Sequence, residues 1–306
     1  MLVPLLLLAA VGVGLAVMQV LAAADAANER AKLLVDVDAT LAKPEVEGGE
    51  LSRLVTALQK LSDHDTAHDA LSAQARIELA RARPERAQQL FGAIAGQPGA
   101  TPSEQGLGAH ILLRLHEAGT ADASTAAGML QAAIGMAEAS YRESRQPGDL
   151  LRAWQAAERA RLHDRSAGFA QQLTQNHAEA AESKFVHFAV AFDPNVGGGA
   201  VEAVMADLVP PPVEGQAMHA FALLAARDMP NAIKVAEQAL ARGAGVAVVR
   251  WAAAVTFHAG VLASAVGSEE RARWVERRDA QLAWMTGGGN ADEARAKQCA
   301  QMREIR

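Results

Sequence analysis

The chain has 306 residues, half of them hydrophobic but only 4% aromatic, with a formal net charge of −6 and one cysteine, Cys299. An acidic chain without a basic stripe is a poor match for a phosphate backbone, so no nucleic-acid partner is expected. A lone cysteine excludes an internal disulfide and any multi-cysteine zinc, iron–sulfur or haem-attachment site, and no cofactor is expected either.

The first stretch, MLVPLLLLAAVGVGLAVMQVLAAA, carries no charge before Asp25 and one strongly polar side chain, Gln19. At about 1.5 Å per residue it is long enough to cross a hydrocarbon core of roughly 30 Å, and residues 1–26 are read as a membrane anchor. A secretory signal is the alternative, with Ala22-Ala23-Ala24 or Ala24-Asp25-Ala26 as cleavage sites, but no basic residue precedes the apolar run. Arg30, Lys32 and Lys43 follow the span, which favours a cytoplasmic body. A periplasmic body is the alternative. Ala10/Gly14 and Gly12/Ala16 have the small-xxx-small spacing that lets spans approach closely, although such content is also ordinary in a lipid-facing helix.

Ala27 to Ala42 continues as helix, and Lys43-Pro44 with Gly48-Gly49 breaks it. Leu51, Leu54, Val55, Leu58 and Leu61 then mark one apolar face. The Ser62–Asp65 polar run caps a helix over 66–83, and Pro84 opens the next, which buries Ala87, Leu90, Phe91 and Ile94. Thr101-Pro102-Ser103-Glu104 is a capping box with proline in the first turn. It launches a helix that ends at Gly119. Further helices are expected over 121–145, from Leu150 and from near Ser166. Residues 185–192 fit either a buried helix end or a short strand. After the glycines 197–199 and the prolines 210–212 come helices over 216–227, from Pro230 to Gly243, over 246–265, from Ser268, and a last one capped by Asn290. The organisation is therefore anchor 1–26, juxtamembrane helix and linker 27–49, a first helical-repeat block 50–192, a Gly/Pro-rich joint 193–213 and a second block 214–306.

Glu78 to Pro98, ELARARPERAQQLFGAIAGQP, resembles the back half of a tetratricopeptide repeat: Ala87, an aromatic four later at Phe91, and a proline closing the turn. Leu223 to Gly243 is similar, with Ala232, Ala236 and Ala239 at the small positions. The resemblance implies an all-α fold, an α-solenoid of TPR-like helical hairpins behind one transmembrane helix. It also implies a concave groove for protein or peptide partners. A single span ahead of such repeats is similar to the lipopolysaccharide assembly protein B family. That family's four-cysteine metal site cannot be built from one cysteine. The HemY family is similar in its repeats but has two spans. Only the architecture carries over.

His64 and His68, four apart and flanked by Asp63, Asp65 and Asp69, are the one cluster with metal-like spacing. No third ligand follows from spacing, and a polar helix start whose acids complement the dipole is the competing reading. Gly197–Gly199 lacks the Lys-Ser/Thr of a phosphate loop and reads as a linker. His187, His219 and His258 read as core or groove histidines, Trp251, Trp274 and Trp284 as wedges between helices with groove lining as the alternative, and Cys299 as incidental. With no nucleophile or acid–base constellation visible, the expectation is a non-enzymatic scaffold, membrane-tethered through residues 1–26, with no catalytic residue assigned; the alternatives are a periplasmic anchored or secreted protein of envelope assembly or chaperoning, and an enzyme with an unrecognised site.

Overall fold

One backbone turn recurs along the chain. In the computed structural model, which describes residue 25 and residues 27–43, 46–62, 68–95, 101–287 and 293–305, Ala82, Arg161 and Arg227 hold φ of 55°, 58° and 62°. At each, the turn residue donates its N–H three residues back, to Leu79, Glu158 and Leu224. The following N–H reaches five back, from Arg83 to Glu78, Leu162 to Ala157 and Asp228 to Leu223. This is a Schellman ending, which satisfies the last carbonyls of one helix while turning the chain into the next. Five residues past each turn stands a small buried side chain, Ala87, Ser166 or Ala232. Twelve past stands Ile94, Leu173 or Ala239, all fully buried. The shared register explains why the resemblance surfaced at Ala87 and Ala232: the position facing the preceding helix has no room for a larger group.

The chain divides into two units, residues 1–100 and 101–306. In the first, α1 (27–41) precedes α2 (Gly48–Ser62), α3 (His68–Ala80) and α4 (Pro84–Ala95). Val37 of α1, Leu51, Leu54 and Leu58 of α2, and Ala70, Ala73 and Ile77 of α3 form its core. Gly48 and Gly49 do not break the chain as expected. They form the first turn of α2, where the Glu47 carbonyl already accepts from Glu50 and Leu51. On α4, Ala87 and Ile94 are buried, whereas Leu90 and Phe91 are only half-buried.

The second unit runs α5 (Pro102–Ala118), α6 (Ala123–Ser144), α7 (Pro147–Arg159), α8 (His163–Asn176), α9 (Ala181–Val190), a 3-10 turn (Pro194–Val196), α10 (Gly198–Met205), α11 (Val213–Ala225), α12 (Met229–Gly243), α13 (Ala247–Ala263), α14 (Glu269–Gly287) and α15 (Glu293–Glu304). Successive helices pair as hairpins: α5 with α6, α7 with α8, α11 with α12, α13 with α14. The capping box is present: Glu104 donates its N–H to Thr101 Oγ1 at 3.3 Å, and Thr101 donates its own to Glu104 Oε2 at 2.6 Å. Ser268 Oγ accepts from the Arg271 N–H at 3.1 Å at the start of α14.

The fold is all-α, with no strand among the described residues. Residues 185–190 are helix, because Phe185 and Val186 both face the core while His187 is exposed, a helical rather than an alternating pattern. Two starts fall earlier than expected, α8 at His163 and α11 at Val213. Segment 193–213 lies inside the second unit and does not divide it. One core runs from Leu113 and Trp154 through Phe185, Val201 and Leu208 to Met218 and Ala222, so the glycines and prolines bend the chain without interrupting the packing. Among the described residues no helix is long and apolar enough to cross a membrane. The expected anchor over 1–26 lies, apart from Asp25, outside the described residues, as does the Asn290 cap.

Candidate functional site

A buried ion network ties three helices of the second unit together. Arg159, the last residue of α7, points its guanidinium at Glu117 of α5 and Glu214 of α11: Nη2 lies 2.8 Å from Glu117 Oε1, and Nε donates to Glu214 Oε1 at 2.8 Å. Arg114 Nη1 closes on the other Glu117 oxygen and Gln155 Nε2 on the other Glu214 oxygen. The Arg159 side chain is only 3% exposed. Burial alone would lower its pKa, but the Glu214 and Glu117 carboxylates together hold it above the ordinary arginine value. These charges therefore neutralise one another, the condition for burying them at all.

Above this floor three recesses of the second unit share their lining and form one cleft. The first, about 330 Å³, is walled by Trp154, Arg159 and Arg161 of the α7 end and by Met218 and Phe221 of α11. The second, about 290 Å³, shares Arg159 and Arg161 and adds Leu130, Gln131 and Trp284. The third, about 270 Å³, shares Trp284 and His116 with the second. The wall facing Trp284 is made of Ala123, Ala126, Gly119 and Gly245. That wall is thin because the backbones themselves meet: a Cβ on Gly245 would collide with the His116 carbonyl oxygen. Trp284 is braced by Arg250, whose guanidinium lies 5.0 Å from the ring centroid. Arg250 is itself held by the Ala244 carbonyl and by Gln281 Oε1, each at 2.6 Å.

Burial, with Arg159 nearby, depresses the His116 pKa to about 4 against the pull of Glu214. Burial beside Arg152, Arg114 and Arg159 depresses that of His110 to about 3. Both rings are neutral at pH 7. His116 Nδ1 and Trp154 Nε1 are buried without a hydrogen-bond partner. Among the described residues the lining of the three recesses holds no Ser, Thr, Cys, Lys or Tyr.

The residues singled out from sequence lie elsewhere. His64, Asp63 and Asp65 are outside the described residues. His68 opens α3, and the neighbouring Asp69 pairs with Arg30 Nε at 3.3 Å. No group of three or more His, Cys, Asp or Glu is placed to hold a metal among the described residues. His187 is exposed rather than in a core, His258 meets Arg278 Nη1 at 3.3 Å, and His219 stands 3.6 Å from Glu202. Trp274 is wedged between helices as expected, stacked on Phe257 at 5.9 Å, but Trp284 lines the cleft. Cys299 is the one buried residue of α15, packed with Leu282 and Met285, and burial pushes its thiol pKa up. Sequence reading missed Arg159, Arg161 and Trp154. Glu158-Arg159-Ala160-Arg161 has the look of a solvated charge run at a helix end, and only the distant Glu117 and Glu214 reveal otherwise.

Fold and cleft define an all-α protein built from helical hairpins, with a neutralised polar floor under an open recess. No protein-family model and no curated protein matches the chain. Among solved structures it is similar to a tetratricopeptide repeat protein from Parabacteroides merdae, at 9% identity over 90% of this chain and 99% of that one, with a TM-score of 0.44. It is also similar to the TPR2AB domain of yeast Sti1 in a pHSP90 complex, at 15% identity over 92% and 98%, with a TM-score of 0.31. At such scores the architecture rests on the hairpins themselves.

Proposed function

We propose that the second unit is a non-catalytic, TPR-like docking module that holds an extended segment of a partner protein in the cleft above Arg159. The observation that carries this reading is the union of the three recesses over a floor whose charges cancel. The acids and arginines of the floor are committed to one another, and among the described residues the lining holds no Ser, Thr, Cys, Lys or Tyr. What it does offer is a long, partly apolar recess on rigid helices, the form that suits peptide capture. Residues 1–26 tether this module to a bacterial membrane. The Lys/Arg bias after the span puts the body on the cytoplasmic side.

Site-specific photocrosslinking tests the docking. A benzophenone side chain at Gln131, in the cleft, is expected to give discrete protein adducts in membranes, and one at Gln171, exposed on α8, none. Adducts of equal yield at both positions would remove the cleft as the docking surface. Alkaline phosphatase fused after Arg306 is expected to stay inactive. An active fusion would place the body in the periplasm.

A further inference from the structure

We propose that α15 is a clasp: it lifts off the second unit while the unit stays folded, and its release opens the 330 Å³ recess on the Arg295 side. This adds a regulation to the docking cleft and rests on that reading for what enters, whereas the clasp itself stands on how α15 is packed. Where α13 buries Val249, Ala253, Phe257 and Val261 along its length, α15 buries Cys299 alone. Cys299 sits against Ala254, Leu282 and Met285, with Ala247, Trp251 and Trp284 half-buried around it. A helix held through one buried side chain belongs to the low end of a protein's local stabilities, where opening does not require the core to unfold.

A second fixing lies just past the helix end. Arg278 of α14 is fully buried and donates from Nη1 to the Ile305 carbonyl at 2.6 Å. Its Nε reaches Asp279 Oδ1 at 2.8 Å, and His258 Nδ1 stands 3.3 Å from Nη1. Holding a guanidinium out of water is costly, and lifting Ile305 away returns it to solvent. The bond lost on opening is thus offset by hydration regained, which keeps the closed and open arrangements close in energy. The clasp reaches the cleft through shared walls. Arg295 lines the 330 Å³ recess together with Trp154, Phe221 and Ala247. Ala247 also packs on the Cys299 cluster, as does Trp284, which lines the neighbouring recess. Lifting α15 removes the Arg295 wall and frees one side of Ala247 and Trp284, so release of the helix and widening of the recess are one motion.

The test uses the full chain, whose single cysteine reports the clasp. The Cys299 thiolate attacks the disulfide of dithiobis(nitrobenzoate), forms a mixed disulfide and releases a coloured nitrothiobenzoate anion. Labelling is expected to run at least about tenfold faster than global unfolding of the second unit permits, with a urea dependence that is a small fraction of the global one. Lys297→Pro, at an exposed position of α15, breaks this helix alone. It is expected to speed labelling on the order of a hundredfold while leaving the urea midpoint of the remaining helices unchanged. In the chain labelled with 5-fluorotryptophan, the same substitution is expected to move the fluorine signals of Trp154, Trp251 and Trp284. That of Trp274, which stacks on Phe257, stays in place. A benzophenone at Val248, half-buried in the recess, is expected to give several-fold more protein adduct in Lys297→Pro than in the parent. Labelling that follows global unfolding with the same urea slope overturns the clasp, as does an unmoved Trp154 signal. Adducts at Gln131 without any gain at Val248 overturn the control of the recess and leave the docking reading standing. Adducts at neither position overturn the docking reading, and the labelling and fluorine results then decide the clasp by themselves.

Discussion

Gly245 donates its backbone N–H to the carbonyl of Glu117 at 2.8 Å. The two residues lie at the α12–α13 turn and in the last turn of α5, far apart in sequence, and the bond satisfies one of the carbonyls that a helix end leaves open. Only glycine allows the approach, since a Cβ at 245 would collide with the His116 carbonyl oxygen and stand 2.9 Å from Gly119 Cα. Gly245→Ala is therefore expected to destabilise the second unit by roughly 3 kcal/mol, by forcing two backbones apart. A urea titration followed by circular dichroism measures it. An unchanged midpoint would show that the junction does not support the unit.

Arg159 holds two carboxylates out of water. Arg159→Leu leaves Glu117 and Glu214 buried without their shared cation, at a cost of about 3–5 kcal/mol. Adding Glu117→Gln and Glu214→Gln is expected to recover most of that loss, since the penalty lies in the uncompensated charge, chiefly that of Glu214, which is left with Gln155 while Glu117 keeps Arg114. Chemical denaturation of the parent, the Arg159→Leu variant, the Glu117→Gln/Glu214→Gln variant and the triple variant reads the difference. A triple variant no more stable than Arg159→Leu alone would show that packing, not charge, is what the arginine supplies.

His110 and His116 give the second unit an acid limb. Their folded pKa values, about 3 and about 4, lie below the unfolded value of 6.5. The unfolded chain therefore binds more protons between those limits, and stability falls as pH drops below 6.5, levelling off below about 3. At pH 5 each histidine at full effect removes roughly 2 kcal/mol. His110→Gln is expected to flatten the decline in thermal midpoint between pH 7 and pH 4. A slope identical to that of the parent would show that His110 titrates as it does in the unfolded chain.

The left-handed turn residues carry a modest strain. Arg227 holds φ of 62° with a Cβ, and Arg227→Gly relieves it at some gain in unfolded-chain entropy, for a net stabilisation of about 0.5 kcal/mol. Gly119→Ala runs the opposite way. At φ of 71°, with the Gly245 backbone nitrogen 2.8 Å from where the new Cβ would stand, it is expected to destabilise, and by more than Arg227→Gly gains. Melting curves of the two variants should therefore straddle that of the parent.

Most helices were legible from sequence because apolar spacing, caps and prolines are local signals. The Thr101–Glu104 box, Pro84 and Gly119 each mark an end that the fold keeps. Residues 185–190 were ambiguous because a run apolar on most sides fits either period, and only the exposure of His187 between Val186 and Phe188 separates them. The segment 193–213, read as a joint, lies along a core that continues past it. Glycine and proline report bends in the chain and are silent on whether a core continues past them. The cleft was not legible at all. Its floor joins residues 42 and 55 positions apart in the chain, and periodicity shows which face of a helix is buried without showing which other helix it meets.

The Schellman turn at Arg161 has one more consequence. Its geometry is enforced by main-chain bonds, so the side chain at that corner is a free variable, tolerated as alanine at 82 and as arginine at 161 and 227. A hairpin array made this way can exchange the chemical character of its rim by single substitutions while the scaffold beneath stays the same. The corner thus works as an interchangeable fitting, through which recognition could diverge between related chains without any refolding.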